Sequence, residues 1–148
     1  HAIDRYSKAL MVDSIKMFLD YCTRFYDRQF VTRDNVNKDL LTRFEQLLDE
    51  YYASGKAEQI GLPTVQYCAD ALHLSYNYFS DLIRKETGVT ASGHIRNKVL
   101  DIAKTQLVST DKTISEIAYR LGFQYSQHFA RLFKKEVGCT PNKYRMQA

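Results

Sequence analysis

The chain has 148 residues, 45% of them hydrophobic, and 21 Lys and Arg against 17 Asp and Glu give a formal net charge of +4. That length suits one domain with a real core, or a domain and an appendage. The three cysteines include no C-x-x-C and meet no matching histidine pair, which argues against a disulfide framework and a zinc site, so no cofactor is expected.

No hydrophobic run reaches membrane-spanning length and no signal-peptide pattern opens the chain, so a cytoplasmic protein is expected. His1 in place of an initiator Met reads as a fragment or a processed chain. With two prolines and no extended alternation, the expected class is all-α.

Residues 2–29 read as one long helix: Tyr6, Leu10, Met17, Tyr21 and Phe25 recur at helical steps, and no Gly or Pro interrupts. Thr32, Arg33, Asp34 and Asn35 form a polar break rich in helix-capping residues. Val36, Leu40, Phe44, Leu47, Leu48 and Tyr51 then give a second amphipathic helix, which ends by Gly55. Residues 1–60 therefore read as a two-helix segment, either a hairpin completing a core or a dimerising linker.

From Thr64 a pattern begins that is written twice. Val65, Cys68, Ala69 and Leu72 repeat the spacing of Ile114, Ile117, Ala118 and Leu121. Phe79, Leu82, Ile83, Arg84, Lys85, Glu86 and Gly88 repeat that of Phe129, Leu132, Phe133, Lys134, Lys135, Glu136 and Gly138, with one extra residue in the second turn. Each copy predicts a short helix, a tight turn and a second helix crossing it, with one face of the second helix outside the core. Ser75 is placed to cap the first of these outer helices, and Gly122 ends the first helix of the second copy.

Between the copies, residues 91–108 make a connecting helix with Ile95, Val99, Ile102, Ala103 and Leu107 on one face. Thr113 opens the next helix with Glu116 as its capping-box partner, and Pro141 opens a closing turn of helix. Cys68, on an apolar face, reads as a small core residue. Charge follows the same division: residues 1–60 hold nine Lys/Arg against ten Asp/Glu, and residues 61–148 hold twelve against seven. The positive excess sits with the repeated units, as attraction to phosphate requires.

Gly122-Phe123, Phe129, Arg131, Phe133-Lys134-Lys135, Gly138, Thr140-Pro141 and Tyr144-Arg145 together strongly resemble the AraC/XylS signature. The resemblance covers about residues 62–145. It implies a bacterial transcription regulator whose DNA-binding domain, here 61–148, has two helix-turn-helix units, homeodomain-like, joined by a long helix. Such regulators usually carry a sensing or dimerising domain upstream, often a cupin-like barrel, and no barrel can be read here.

By position in that pattern, Asn77, Ser80 and Asp81 in the first unit, and Ser126, Gln127 and Arg131 in the second, are the expected base contacts. Asn and Gln suit adenine, Arg suits guanine, and Asp accepts only from a cytosine amino group. Asp81 otherwise pairs with Arg84 or weakens its unit, and Arg131 otherwise pairs with Glu136 or a phosphate. Arg84, Lys85, Lys112, Thr113, Lys134, Lys135, Lys143 and Arg145 are the expected phosphate contacts. Tyr76 and Tyr78 are read as caps on the core, with stacking on sugars as the alternative, His128 as packed beside Phe129, and the cap before Ser126 as falling to Gln124 or Ser126.

Two units entering successive major grooves on one face would lie about 34 Å apart. Double-stranded DNA is the expected partner, with contact to RNA polymerase and a homodimer through residues 1–60 as further possibilities. No phosphate loop, metal-spaced cluster or nucleophile with a base is present to suggest an enzyme. The rival reading is a helical protein–protein adaptor that ignores DNA.

Overall fold

The computed structural model describes residues 4–148, and every regular element among them is helical. Eight helices follow one another: α1 (Arg5–Ala53), α2 (Lys56–Ile60), α3 (Val65–Ala71), α4 (Tyr76–Thr87), α5 (Ala91–Ser109), α6 (Ile114–Leu121), α7 (Ser126–Val137) and α8 (Pro141–Gln147). The chain divides into two compact units, residues 1–40 and 41–148.

The expected two-helix N-terminal segment is corrected to a single α1 of 49 residues. Capping residues at 32–35 do not break it. The Thr32 hydroxyl donates back to the Arg28 carbonyl at 2.9 Å, as Ser14 and Thr23 do to Leu10 and Leu19. A polar side chain satisfied in that way sits inside a helix without ending it. The first Gly of the chain, Gly55, stands just past the end of α1 with φ of 75°.

The first unit is the helix up to Leu40, and its apolar side chains between Tyr6 and Val36 are largely exposed. The second unit has a continuous apolar interior. In its first half, Phe44 and Phe79 meet edge to face at 5.0 Å, with Leu48, Cys68, Ala69, Leu72, Ile83 and Ile95 also buried. In its second half, Val99, Leu100, Ala103 and Leu107 of α5 pack with Ile117, Ala118 and Leu121 of α6 and with Phe129 and Phe133 of α7. Helix α5 therefore belongs to both halves, as its one-faced apolar spacing requires.

The end of α1 is joined to both helix-turn-helix halves by its tyrosines. Tyr51 donates to the Gly61 carbonyl at 2.6 Å and stacks edge-on with Tyr67, while Tyr52 donates to the Leu121 carbonyl at 3.2 Å. Burial raises the ionisation of both phenols above the ordinary tyrosine value. Arg120 reaches Glu58 of α2 at 3.9 Å, and Lys98 of α5 pairs with Asp49 of α1.

Candidate nucleic-acid interface

The two copies fold alike to the level of single hydrogen bonds. Thr64 and Thr113 cap α3 and α6 by accepting from Tyr67 and Glu116 backbone N–H groups at 3.0 and 3.2 Å. Each of these helices then closes through a left-handed residue. In the first copy His73 N–H donates to Asp70 and Leu74 N–H to Ala69; in the second, Gly122 donates to Tyr119 and Phe123 to Ala118. His73 has φ of 58° and Gly122 has φ of 100°. A side chain is tolerated at the first turn and not at the second, because a Cβ on Gly122 would meet the Gly61 carbonyl carbon at 2.6 Å.

Helices α4 and α7 each have 12 residues and stand fifty positions apart in one register. Phe79 and Ile83 are buried under α4, and Phe129 and Phe133 under α7. Gly88 and Gly138 end them in the left-handed region. Their starts differ. Ser75 accepts from Tyr78 N–H at 3.2 Å, whereas the cap of α7 is Tyr125, which gives no side-chain hydrogen bond and replaces the expected Gln124 or Ser126. The Tyr125 ring instead lies edge-on to His128 at 5.5 Å.

The outer faces are open. Asn77, Asp81, Arg84 and Lys85 are exposed on α4, as are Gln127, Arg131, Lys134 and Lys135 on α7. Ser126 is half-buried and borders a surface cleft with Ser115, Tyr119, Gln124 and Gln127, two of which, Ser115 and Tyr119, the sequence pattern did not single out. Tyr119 is 61% exposed on the face of α6 opposite Ile117 and Leu121, and helical spacing was the signal that could have found it. Tyr76 and Tyr78 are 47% and 56% exposed and so do not cap the core.

Ser80 is corrected. Its Oγ is buried and bonds to no described group, so it cannot offer its hydroxyl to a base edge from this position. Its counterpart fifty positions on is Ala130, likewise half-buried, which shows that this register point faces inward. Among the described residues Asp81 and Arg84 form no ion pair, and Glu136 pairs with Arg96 of α5 at 3.5 Å rather than with Arg131.

Arg145 is the second correction. Its guanidinium donates to the carbonyls of Leu107, Thr110 and Lys112 at 2.9, 3.5 and 2.5 Å, closing the C-terminal end of α5 from α8. A cation there satisfies carbonyls that have no helical partner and lies favourably in the helix dipole. It is half-buried and already engaged, not presented to phosphate. Lys112, Thr113 and Lys143 lie around this junction and the start of α8, with Thr113 and Lys143 exposed and Lys112 half-buried.

The sequence profile described as "Helix-turn-helix domain" matches residues 68–147. The chain belongs to the AraC-type helix-turn-helix family of DNA-binding transcription regulators. The TetD protein of transposon Tn10 from Escherichia coli is 38% identical over 119 residues, covering 80% of this chain and 77% of TetD. The HTH-type transcriptional regulator YijO of Escherichia coli K12 is 29% identical over 133 residues, 90% of this chain and 44% of YijO. Among solved structures, the C-terminal domain of AraT, a response regulator from Geobacillus stearothermophilus, superposes with a TM-score of 0.65 at 28% identity, covering 74% of this chain and 85% of that domain. The chain spans less than half the length of several curated relatives that it matches. Among the described residues no helix of this AraC-type chain is long and apolar enough to cross a membrane.

Proposed function

We propose that the chain reads double-stranded DNA by laying α4 and α7 into two neighbouring major-groove segments. The observation that carries this is the shared register of two 12-residue helices whose outer faces each begin with hydrogen-bonding side chains and end with cations. Polar groups at the N-terminal end suit base edges, and the cations beyond suit phosphates.

Asn77 and Asp81 on α4, and Ser126, Gln127 and Arg131 on α7, are the base contacts in this reading. Arg84, Lys85, Lys112, Lys134, Lys135 and Lys143 grip phosphates, with the Thr113 hydroxyl beside them. The relatives' names as transcriptional regulators support a regulatory role by binding rather than catalysis. Such a role places the chain in the bacterial cytoplasm, with RNA polymerase as the partner an activator must reach and a second copy held through the N-terminal helix.

Selection of bound sequences from random duplexes, followed by titration over a salt series, tests the reading. Each chain should select a non-palindromic element, and six cations on phosphates give a log–log salt slope of about −5 per bound chain. Indifference to duplex DNA at low salt would leave the protein–protein adaptor instead.

A further inference from the structure

The last turns of α1 hold both helix-turn-helix copies at once. Phe44 supports α4 from below through Phe79, at 5.0 Å. Eight residues on, about 12 Å along the helix, two adjacent tyrosines turn to different copies. Tyr51 lies edge-on to Tyr67 of α3 at 5.2 Å. Tyr52 packs against the cluster formed by α5, α6 and α7, and its hydroxyl donates to the Leu121 carbonyl at 3.2 Å. Leu121 is the last residue of α6, so that carbonyl has no partner within its own helix. A buried ring with a satisfied hydroxyl is a directional anchor, which an aliphatic side chain in the same place would not be.

We infer that residues 44–52 of α1 form a second strut between the two copies, with Tyr52 as the positioning residue that fixes the separation and angle of α4 relative to α7. Helix α5 is the first strut, since it belongs to both halves. Two bodies joined along one axis can still rotate about it, and a second attachment off that axis removes the freedom. Held on both sides, the two helices keep one mutual geometry before any ligand arrives. The consequence for binding rests on the DNA reading: the strut selects the number of base pairs between those read by α4 and those read by α7. One base pair inserted between them shifts the second group by about 3.4 Å and turns it by about 34°. A rigid pair of helices cannot follow that displacement.

Spin labels on Lys85→Cys and Lys135→Cys, exposed at matching positions of α4 and α7, report the separation of the two helices without DNA by double electron–electron resonance. Cys22→Ser and Cys139→Ser form the background, and the buried Cys68 stays. One narrow distance is expected. Tyr52→Phe, which keeps the ring and loses the donor, should broaden it, and Tyr52→Ala should broaden it further. Arg120→Ala, which removes only an exposed pair to Glu58, should leave it narrow. On the selected duplex the unlabelled native chain should lose about tenfold or more in affinity when one base pair is inserted between the two groups, and Tyr52→Ala only about threefold. If Tyr52→Ala does not fold, Tyr52→Phe decides by the same readouts. A distance already broad in the native background, a width unchanged by the Tyr52 variants, or equal broadening by Arg120→Ala would overturn the inference. So would a spacing preference as strict in Tyr52→Ala as in the native chain, with the DNA reading left standing. Indifference to every duplex would instead sink that reading and leave the spin-label distances to decide the strut.

Discussion

The backbone at Gly122 runs so close to Gly61 that a methyl group on Gly122 has nowhere to go: its Cβ would lie 2.6 Å from the Gly61 carbonyl carbon and 2.6 Å from the Leu62 nitrogen. This is the point where the segment following α2 crosses the turn of the second helix-turn-helix unit. Gly122 also has φ of 100°, so conformation and space both demand glycine.

Gly122→Ala should therefore destabilise the second unit well beyond the about 1–2 kcal/mol expected of a left-handed Ala alone. Gly138→Ala is the control, since it has φ of 92° with nothing within 4 Å of its Cβ. Thermal melts of the two variants should differ by several degrees, with Gly122→Ala the lower. Equal midpoints would mean that the Gly61 crossing yields readily.

Arg145→Lys separates a structural clamp from a phosphate contact. A lysine has one nitrogen to offer where the guanidinium serves three carbonyls, so about 1–3 kcal/mol of stability should be lost. The salt slope of DNA binding should not change, because no phosphate contact is removed. A slope shallower by about one, with unchanged stability, would restore Arg145 to the phosphate-binding set.

How far the sequence reveals this molecule can be judged from particular residues. The repeat of Val65, Cys68, Ala69 and Leu72 in Ile114, Ile117, Ala118 and Leu121 was legible because core spacing within one helix is local, and Cys68, Ala69, Ile117, Ala118 and Leu121 are indeed buried. The continuity of α1 through residues 32–35 was not legible. Capping residues signal a helix start only if their side chains turn to the next turn's N–H groups, and the Thr32 hydroxyl turns back to Arg28 instead. Arg145 could be recognised as part of a family signature but not assigned its carbonyls, which come from α5 and the turn after it. Ser80 looked outward by analogy of position; only packing places its hydroxyl inside.

Alkaline pH should weaken the fold through Cys68. Burial pushes this thiol up to about 11 from an ordinary value of 9.0. Above pH 9 the unfolded chain sheds the thiol proton while the folded chain keeps it, so stability is full below pH 9 and falls as pH rises towards 11. Tyr51 and Tyr52, also raised by burial, extend the fall. Cys68→Ala should flatten the first part of the decline, read as the unfolding midpoint between pH 8 and 11, and an unchanged decline would assign it wholly to the tyrosines.

Asp81 and Arg131 occupy the same register position on α4 and α7, fifty residues apart, with opposite charge. If each faces a base edge, the two halves of the site demand opposite hydrogen-bonding partners there: an amino donor on cytosine for Asp81, acceptors on guanine for Arg131. Arg131→Ala should cost specific binding about 1–3 kcal/mol at one base pair and leave non-specific binding almost intact. Asp81→Asn should act in the opposite sense. Removing a carboxylate that phosphates repel strengthens binding to all sequences, while an amide that suits adenine relaxes the choice at its own base pair. The measurement is affinity for a panel of duplexes substituted at each position of the selected site. Arg131→Ala losses equal on specific and random DNA would make that residue a phosphate contact. A preference altered by Asp81→Asn in the half read by α7 would refute the assignment of one helix to each half.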